Sequence, residues 1–154
     1  MAELITAQIE SFTERLDELR PILPLHYAEL ALDQDKVPLD PRFDVYIDRE
    51  AAGELLFVTL RSAGDLIGYF IGFVAPGLHY RTCLQCQMDI FYVHPDHRGS
   101  SAGAQLFRFT EAELKRRGVQ RWFVGSKVHF PADWLFERLG FGKIETYYSK
   151  WIGE

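Results

Sequence analysis

Met88-Asp89-Ile90-Phe91-Tyr92-Val93-His94-Pro95-Asp96-His97-Arg98-Gly99-Ser100-Ser101-Ala102-Gly103-Ala104-Gln105-Leu106 reads as a strand, then a turn of small residues, then the start of a helix. Small side chains let a ligand approach the backbone. The first N–H groups of a helix have no internal partner and point outward beside the positive end of its dipole. Such a turn is a cradle for a pyrophosphate. The stretch is no Walker A loop, because G-x-x-x-x-G-K-[ST] is missing, and no dinucleotide fingerprint, because G-x-G-x-x-G is missing. The plainer alternative is a strand-to-helix connection with Ser100 or Ser101 as N-cap.

Working upstream, Leu84 to Val93 reads as the third of three strands. Leu55 to Leu60 and Leu66 to Val74 form a hairpin about Ser62-Ala63-Gly64-Asp65. A short helix spans about Phe43 to Ala52, with Gly53 at C′. The first third reads as helical. Ser11 and Glu14 have the spacing of a capping box, and Phe12, Leu16 and Leu19 recur at helical period. Pro21 and Pro24 interrupt this pattern before a second helical piece carrying Leu25, Ala28, Glu29 and Leu32.

Downstream, an amphipathic helix starts near Ala102, buries Leu106, Phe109 and Leu114, and ends at Gly118. Val119 to Val124 reads as a strand. Pro131 to Leu139 reads as a short helix with Pro131 at its first position, and Ile144 to Ile152 as a closing strand. Helices, a hairpin and then β-α-β-α-β predict an α/β or α+β fold with a mixed sheet. Phe107, Phe109, Trp122, Phe123 and Trp134 are assigned to its core.

The 154 residues suffice for one domain, residues 1–154, and 47% hydrophobic with 25% charged is the balance of a globular chain. Lys and Arg number 17 against 22 Asp and Glu, a formal charge of −5. That argues against wrapping nucleic acid by phosphate neutralisation. The longest uncharged stretch, Leu66 to Tyr80, is broken by glycines and Pro76 and falls short of a membrane span. No signal peptide is visible after Met1. The two cysteines, Cys83 and Cys86, make no disulfide framework, so a cytoplasmic, reducing setting is expected. Their C-x-x-C lacks the second pair that zinc would need, and no metal is expected.

Two motifs carry a family resemblance. Arg98-Gly99-Ser100-Ser101-Ala102-Gly103 resembles the acyl-CoA loop [Q/R]-x-x-G-x-[G/A] of the GCN5-related N-acetyltransferases (GNAT), with Ser101 where the middle glycine is usual. Ala132-Asp133-Trp134-Leu135-Phe136-Glu137-Arg138-Leu139-Gly140-Phe141 resembles the family's A-x-x-L-Y-E-K-x-G-F helix, with Phe136 in place of its tyrosine. A finer resemblance, carried by His79-Tyr80 before the third strand, is to acetyltransferases encoded in bacteriophage genomes.

The family resemblance implies a mostly antiparallel sheet of about six strands flanked by four or five helices. It implies acetyl transfer from acetyl-CoA to a primary amine, small molecule or protein. Phe91, Tyr92 and Val93 would pair with the pantetheine arm on a strand splayed from its neighbour. Arg98, Gly99, Ser100, Ser101, Ala102, Gly103 and Ala104 would hold the pyrophosphate. The family's last strand would be short, absent or supplied by a neighbouring subunit, which implies a homodimer as one arrangement.

An alkylamine of pKa ~10.4 must lose a proton before it attacks. Asp89 is the first candidate base; counting by two along the strand places it on one face with Phe91 and Val93. His79 is the second, because an imidazole transfers protons near neutrality. The family's acid, a tyrosine, is missing at Phe136, and Tyr147, Tyr148 or His129 are the substitutes to examine. Two functional readings follow: an active N-acetyltransferase, or a silent acyl-CoA-binding module that acts through a protein partner.

Overall fold

In the computed structural model, which describes residues 4–154, one sheet of five strands runs in the order β1-β2-β3-β4-β5. The strands are β1 (Ile5–Ile9), β2 (Leu55–Ser62), β3 (Asp65–Pro76), β4 (Leu84–Val93) and β5 (Arg121–Phe123). The first four pair antiparallel, and β5 alone runs parallel to β4. Five α-helices accompany them: α1 (Phe12–Leu19), α2 (Leu23–Leu30), α3 (Phe43–Ala51), α4 (Ala102–Arg116) and α5 (Asp133–Arg138). This is the mixed, mostly antiparallel α/β architecture expected from the sequence.

The sheet is covered on both faces. Leu56, Val58, Leu60, Phe70, Cys86 and Val93 point to the side that carries α4 and α5, where they meet Leu106, Phe107, Leu135 and Phe136. Leu55, Phe57, Tyr69, Ile71 and Tyr92 point to the opposite side and meet Phe12 and Leu19 of α1. Two covered faces explain why β2 and the middle of β3 read as near-continuous apolar runs. Burial of each large side chain, such as the fully enclosed Phe107, contributes about 1.5–3 kcal/mol.

Three elements differ from the sequence reading. The first third is not wholly helical, because Ile5–Ile9 pairs with β2 as an edge strand. Its alternation sends Ile5 and Ala7 to the α4 side. Residues 144–152 form no strand, and Ile144, Tyr147, Tyr148 and Ile152 are exposed. Among the described residues no strand pairs with that segment, so its β-forming composition joins no ladder. Pro131 lies outside α5, just before its N-cap Ala132.

Local polar contacts fix the α1 side. Ser11 is the N-cap of α1, with Oγ accepting from the Glu14 amide at 3.2 Å. The carboxylate that closes the cap comes from Glu50 on α3, which accepts from the amides of Phe12 at 2.6 Å and Thr13 at 3.1 Å. Arg61 of β2 donates to Glu10 at 2.9 Å and to Glu18 of α1 at 2.9 Å, tying sheet to helix. Burial opposes the Glu10 charge, but hydrogen bonds from Arg61 and Thr59 hold its carboxyl at about 2, below the ordinary 4.5.

A depressed carboxyl pKa adds stability above about pH 4.5 that disappears as pH falls toward 2. Glu10→Gln is expected to lower the unfolding free energy by about 2 kcal/mol at pH 7. In urea titrations at stepped pH, the gap from wild type should close between pH 4.5 and 2. A gap that stays constant across that range would refute the assignment.

Candidate active site

β4 and β5 pair over three residues only, Gln85, Cys86 and Gln87 against Arg121, Trp122 and Phe123. Past that point they part, and a cleft of about 450 Å³ opens between them. One wall is residues 88–93 of β4. The end wall is the turn from His97 to Ser101 and the start of α4. The far wall is residues 125–127 with Pro131, Trp134, Leu135 and Arg138, and α2 closes one side with His26, Glu29 and Leu30.

The turn into α4 is built as the small residues suggested. A 3₁₀ turn, Pro95–His97, precedes it. Gly99 has φ +76°, a conformation that L side chains rarely adopt, and a Cβ there would meet nothing within 4 Å. The glycine is needed for its backbone, not for space. Ser101, at the family's glycine position, has φ −77° and ψ −1°, ordinary helical values, so that departure strains nothing.

Ser100 makes the capping contact: its Oγ donates to His97 O at 2.6 Å and accepts from the Ala102 amide at 3.2 Å. The first intrahelical bond is Gln105 N to Ser101 O at 2.9 Å. The amides of Gly103 and Ala104 therefore precede the helix ladder, at residues that line the cleft.

Arg98 fastens this turn to the rest of the molecule. Its Nε donates to Val93 O at 2.8 Å, and its Nη2 reaches both oxygens of Glu29, at 3.0 and 2.8 Å. The guanidinium also sits over Tyr92 at 5.6 Å and Phe130 at 5.2 Å. Arg98, Arg108, Lys127 and Arg138 line the cleft against the carboxylates Glu29 and Asp89. The lining is thus cationic on balance in a chain whose formal charge is −5.

Asp89 lies in the cleft, but not as counting by two predicts. Ile71 pairs with Ile90 and Gly72 with Met88, so Asp89 is the extra residue of a β-bulge. A bulge re-aims the side chain it carries. Phe91 and Val93 face α4, whereas the Asp89 carboxylate receives a 2.5 Å hydrogen bond from Tyr46 of α3, on the other side of the sheet. Burial raises the Asp89 pKa above the ordinary 3.8, and the Tyr46 hydrogen bond pulls the other way.

The other candidates separate. Phe91, Tyr92 and Val93 line the cleft where β4, still paired with β3, has no strand on its β5 side. His79 does not: it is exposed in the β3–β4 loop with its ring 6.2 Å from Tyr80. Tyr147 and Tyr148 are exposed, and His129 contacts Leu30 O at 3.0 Å without lining the cleft. Phe136 is buried in an aromatic cluster with Phe91, Phe107 and Phe141. Trp134, assigned to the core from sequence, is instead 57% exposed at the cleft wall.

Sequence reasoning missed His26, Tyr46 and Lys127. Tyr46 stood in the α3 stretch as a helix residue with no signal of its partner 43 positions on. Among the described residues, no group of three or more His, Cys, Asp or Glu is placed to hold a metal ion, and no helix is long and apolar enough to cross a membrane. Burial pushes the Cys86 thiol up to about 12, leaving it an inert core residue.

Comparison with known proteins agrees with this geometry. Residues 16–141, more than half of the chain, match the Acetyltransferase (GNAT) family. The chain belongs to that family. Its fold is shared by a GCN5-related N-acetyltransferase from Ralstonia eutropha, at 17% identity and TM-score 0.75 over 97% of this chain and 100% of that one. A ribosomal-protein-alanine N-acetyltransferase from Brucella melitensis gives 18% identity and TM-score 0.73 over the same shares. A predicted acetyltransferase from Clostridium acetobutylicum, in a crystal structure with acetyl-CoA, gives 13% and 0.68 over 96% of each chain. No curated protein matches the sequence.

The Tyr46–Asp89 contact predicts a measurable titration. Because the Tyr46 hydroxyl lowers a carboxyl that burial has raised, Tyr46→Phe should move the Asp89 pKa higher still. Carboxyl-carbon NMR across a pH series reads it directly; a lower or unmoved pKa would contradict the contact. Gly99→Ala should cost about 1–2 kcal/mol in thermal or urea unfolding, while Ser101→Ala should stay within about 0.5 kcal/mol.

Proposed function

We propose that this protein moves the acetyl group of acetyl-CoA directly onto a primary amine, with Asp89 as the proton acceptor. The observation that supports the reading is the placement of Asp89 and the α4 amides along one cleft, in a member of an acetyltransferase family. The acetyl thioester supplies an activated acyl carbon when bound.

The residues present fit such a molecule. The amides of Gly103 and Ala104, at the positive end of the α4 dipole, suit a diphosphate. Arg108, Lys127 and Arg138 add positive charge around the same cleft. On the side where β5 no longer pairs with it, β4 from Phe91 to Val93 offers backbone groups to an extended arm that has amides of its own.

Chemically, the amine arrives as an ammonium of pKa ~10.4. Asp89 takes its proton, directly or through a water, helped by a pKa that burial has raised. The freed lone pair attacks the thioester carbon; a C–N bond forms, the C–S bond breaks, the sulfur leaves as thiolate, and the nitrogen gives its second proton to solvent as the amide forms. Phe136 has no proton to give. A thiol of pKa ~8.5 leaves as the anion and picks up its proton from water. This active reading is favoured over a silent binding module because a half-buried carboxylate stands in the cleft.

Calorimetry with acetyl-CoA and thiol release over a panel of amines test the reading. Acetyl-CoA should bind, and at least one amine class should release thiol. Asp89→Asn should then lower kcat by about 10²-fold or more, while His79→Ala stays within about twofold. Absence of heat with acetyl-CoA on folded protein would end the proposal. Equal kcat in Asp89→Asn would remove Asp89 from the role.

A further inference from the structure

Two buried polar atoms at the cleft are left unused by that chemistry. His26 Nε2 and the Tyr92 hydroxyl have no hydrogen-bond partner among the described residues, in side chains only 5% and 3% exposed. Their rings lie 5.1 Å apart, and both residues line the cleft. A buried polar group left without a partner is destabilising, because it has given up water and gained nothing in return. Two of them side by side on a cleft wall call for an occupant that satisfies both.

Tyr69 decides which kind of group His26 presents. The Tyr69 hydroxyl is fully enclosed and lies 2.8 Å from His26 Nδ1, its one described partner. A phenol has a single hydrogen. Were Nδ1 protonated, that hydrogen would be stranded in the core, so the hydroxyl donates to Nδ1 and the neutral ring carries its own hydrogen on Nε2. Burial, with the charges of Arg98 and Lys127, outweighs Glu29 and brings the His26 pKa down to about 4. A ring so reluctant to take a proton is a poor base for an ammonium and a good neutral donor.

We propose that His26 Nε2–H and Tyr92 O–H together seat a carbonyl or carboxylate oxygen of the acceptor, which makes the acceptor an amine that also bears such an oxygen. Tyr92 points to the same side of β4 on which Asp89 meets Tyr46, so oxygen seat and proton acceptor share one face of the strand. The seat selects by leaving its donors unpaired when a plain alkylamine enters. The inference rests on the acetyl-transfer reading for the amine end of the molecule, and on the two donors alone for the oxygen end.

Histidine-labelled protein, saturated with coenzyme A, is examined by long-range ¹H–¹⁵N NMR. The Nε2-protonated tautomer of His26 is expected. Glycine, glycinamide and β-alaninamide should shift its Nε2 signal, and n-propylamine should not. In turnover with acetyl-CoA, Tyr92→Phe should cut the preference for glycinamide over n-propylamine about tenfold, the size of one hydrogen bond. His26→Gln, which keeps a nitrogen donor near the ε position, should retain most of that preference.

An Nδ1 tautomer, no shift with any of the oxygen-bearing amines, or a Tyr92→Phe loss shared equally by both amines would overturn the proposal. Should no amine be acetylated, the acetyl-transfer reading fails, while tautomer and shifts still judge the seat.

Discussion

Three residue pairs join β4 to β5, and the protein's chemistry depends on where that ladder stops. A longer ladder would close the sheet and fill the space between residues 88–93 and 125–134. Because pairing ends at Gln87 and Phe123, one side of β4 keeps backbone groups that no strand satisfies. The turn into α4 is anchored at the end of that same strand by Arg98, which holds Val93 O and Glu29 at once. Open strand edge and helix amides thus face one cleft.

A single extra residue then sets the polar side of the cleft. The bulge at Asp89 reverses the parity of β4 midway. Cys86 and Met88 before it, and Phe91 and Val93 after it, all feed the α4-side core. Asp89 is released to the opposite side, where Tyr46 holds it. In that position the carboxylate is partly desolvated yet hydrogen-bonded, a balance that keeps it ionisable and raises its basicity. Tyr69, His26 and Tyr92 extend the polar set along the same face. Polar groups in so enclosed a setting make sense beside a site, since an apolar replacement would serve packing alone at least as well.

Much of the frame is visible in the chain itself. The β2–β3 hairpin, the amphipathic period of α4 and the turns at Gly53, Gly99, Gly118 and Gly140 follow from local rules, and all four glycines have positive φ. The small-residue turn before α4 is legible for the same reason, because helix amides and glycine backbone need no distant partner. β1 was hidden by its brevity: five residues of an edge strand, next to a strong helical signal, carry little periodicity of their own. The closing segment misled in the other direction, since β-forming composition at Tyr147 and Tyr148 is no substitute for a surface to pair with.

What the chain determined alone is the local grammar: which stretches are helix or strand, where the turns lie, and that a helix opens onto a ligand-sized turn. What the tertiary structure decided is which side chains share that ligand's space. Strict alternation assigns Asp89 to the wrong face, because a bulge is a property of two strands in register and not of one. His26 reads as an ordinary helix residue until Tyr69 and Tyr92, 43 and 66 positions later in the sequence, close around it. Hydrogen-bond partners so far apart are chosen by packing in three dimensions, and a linear pattern holds no record of that choice.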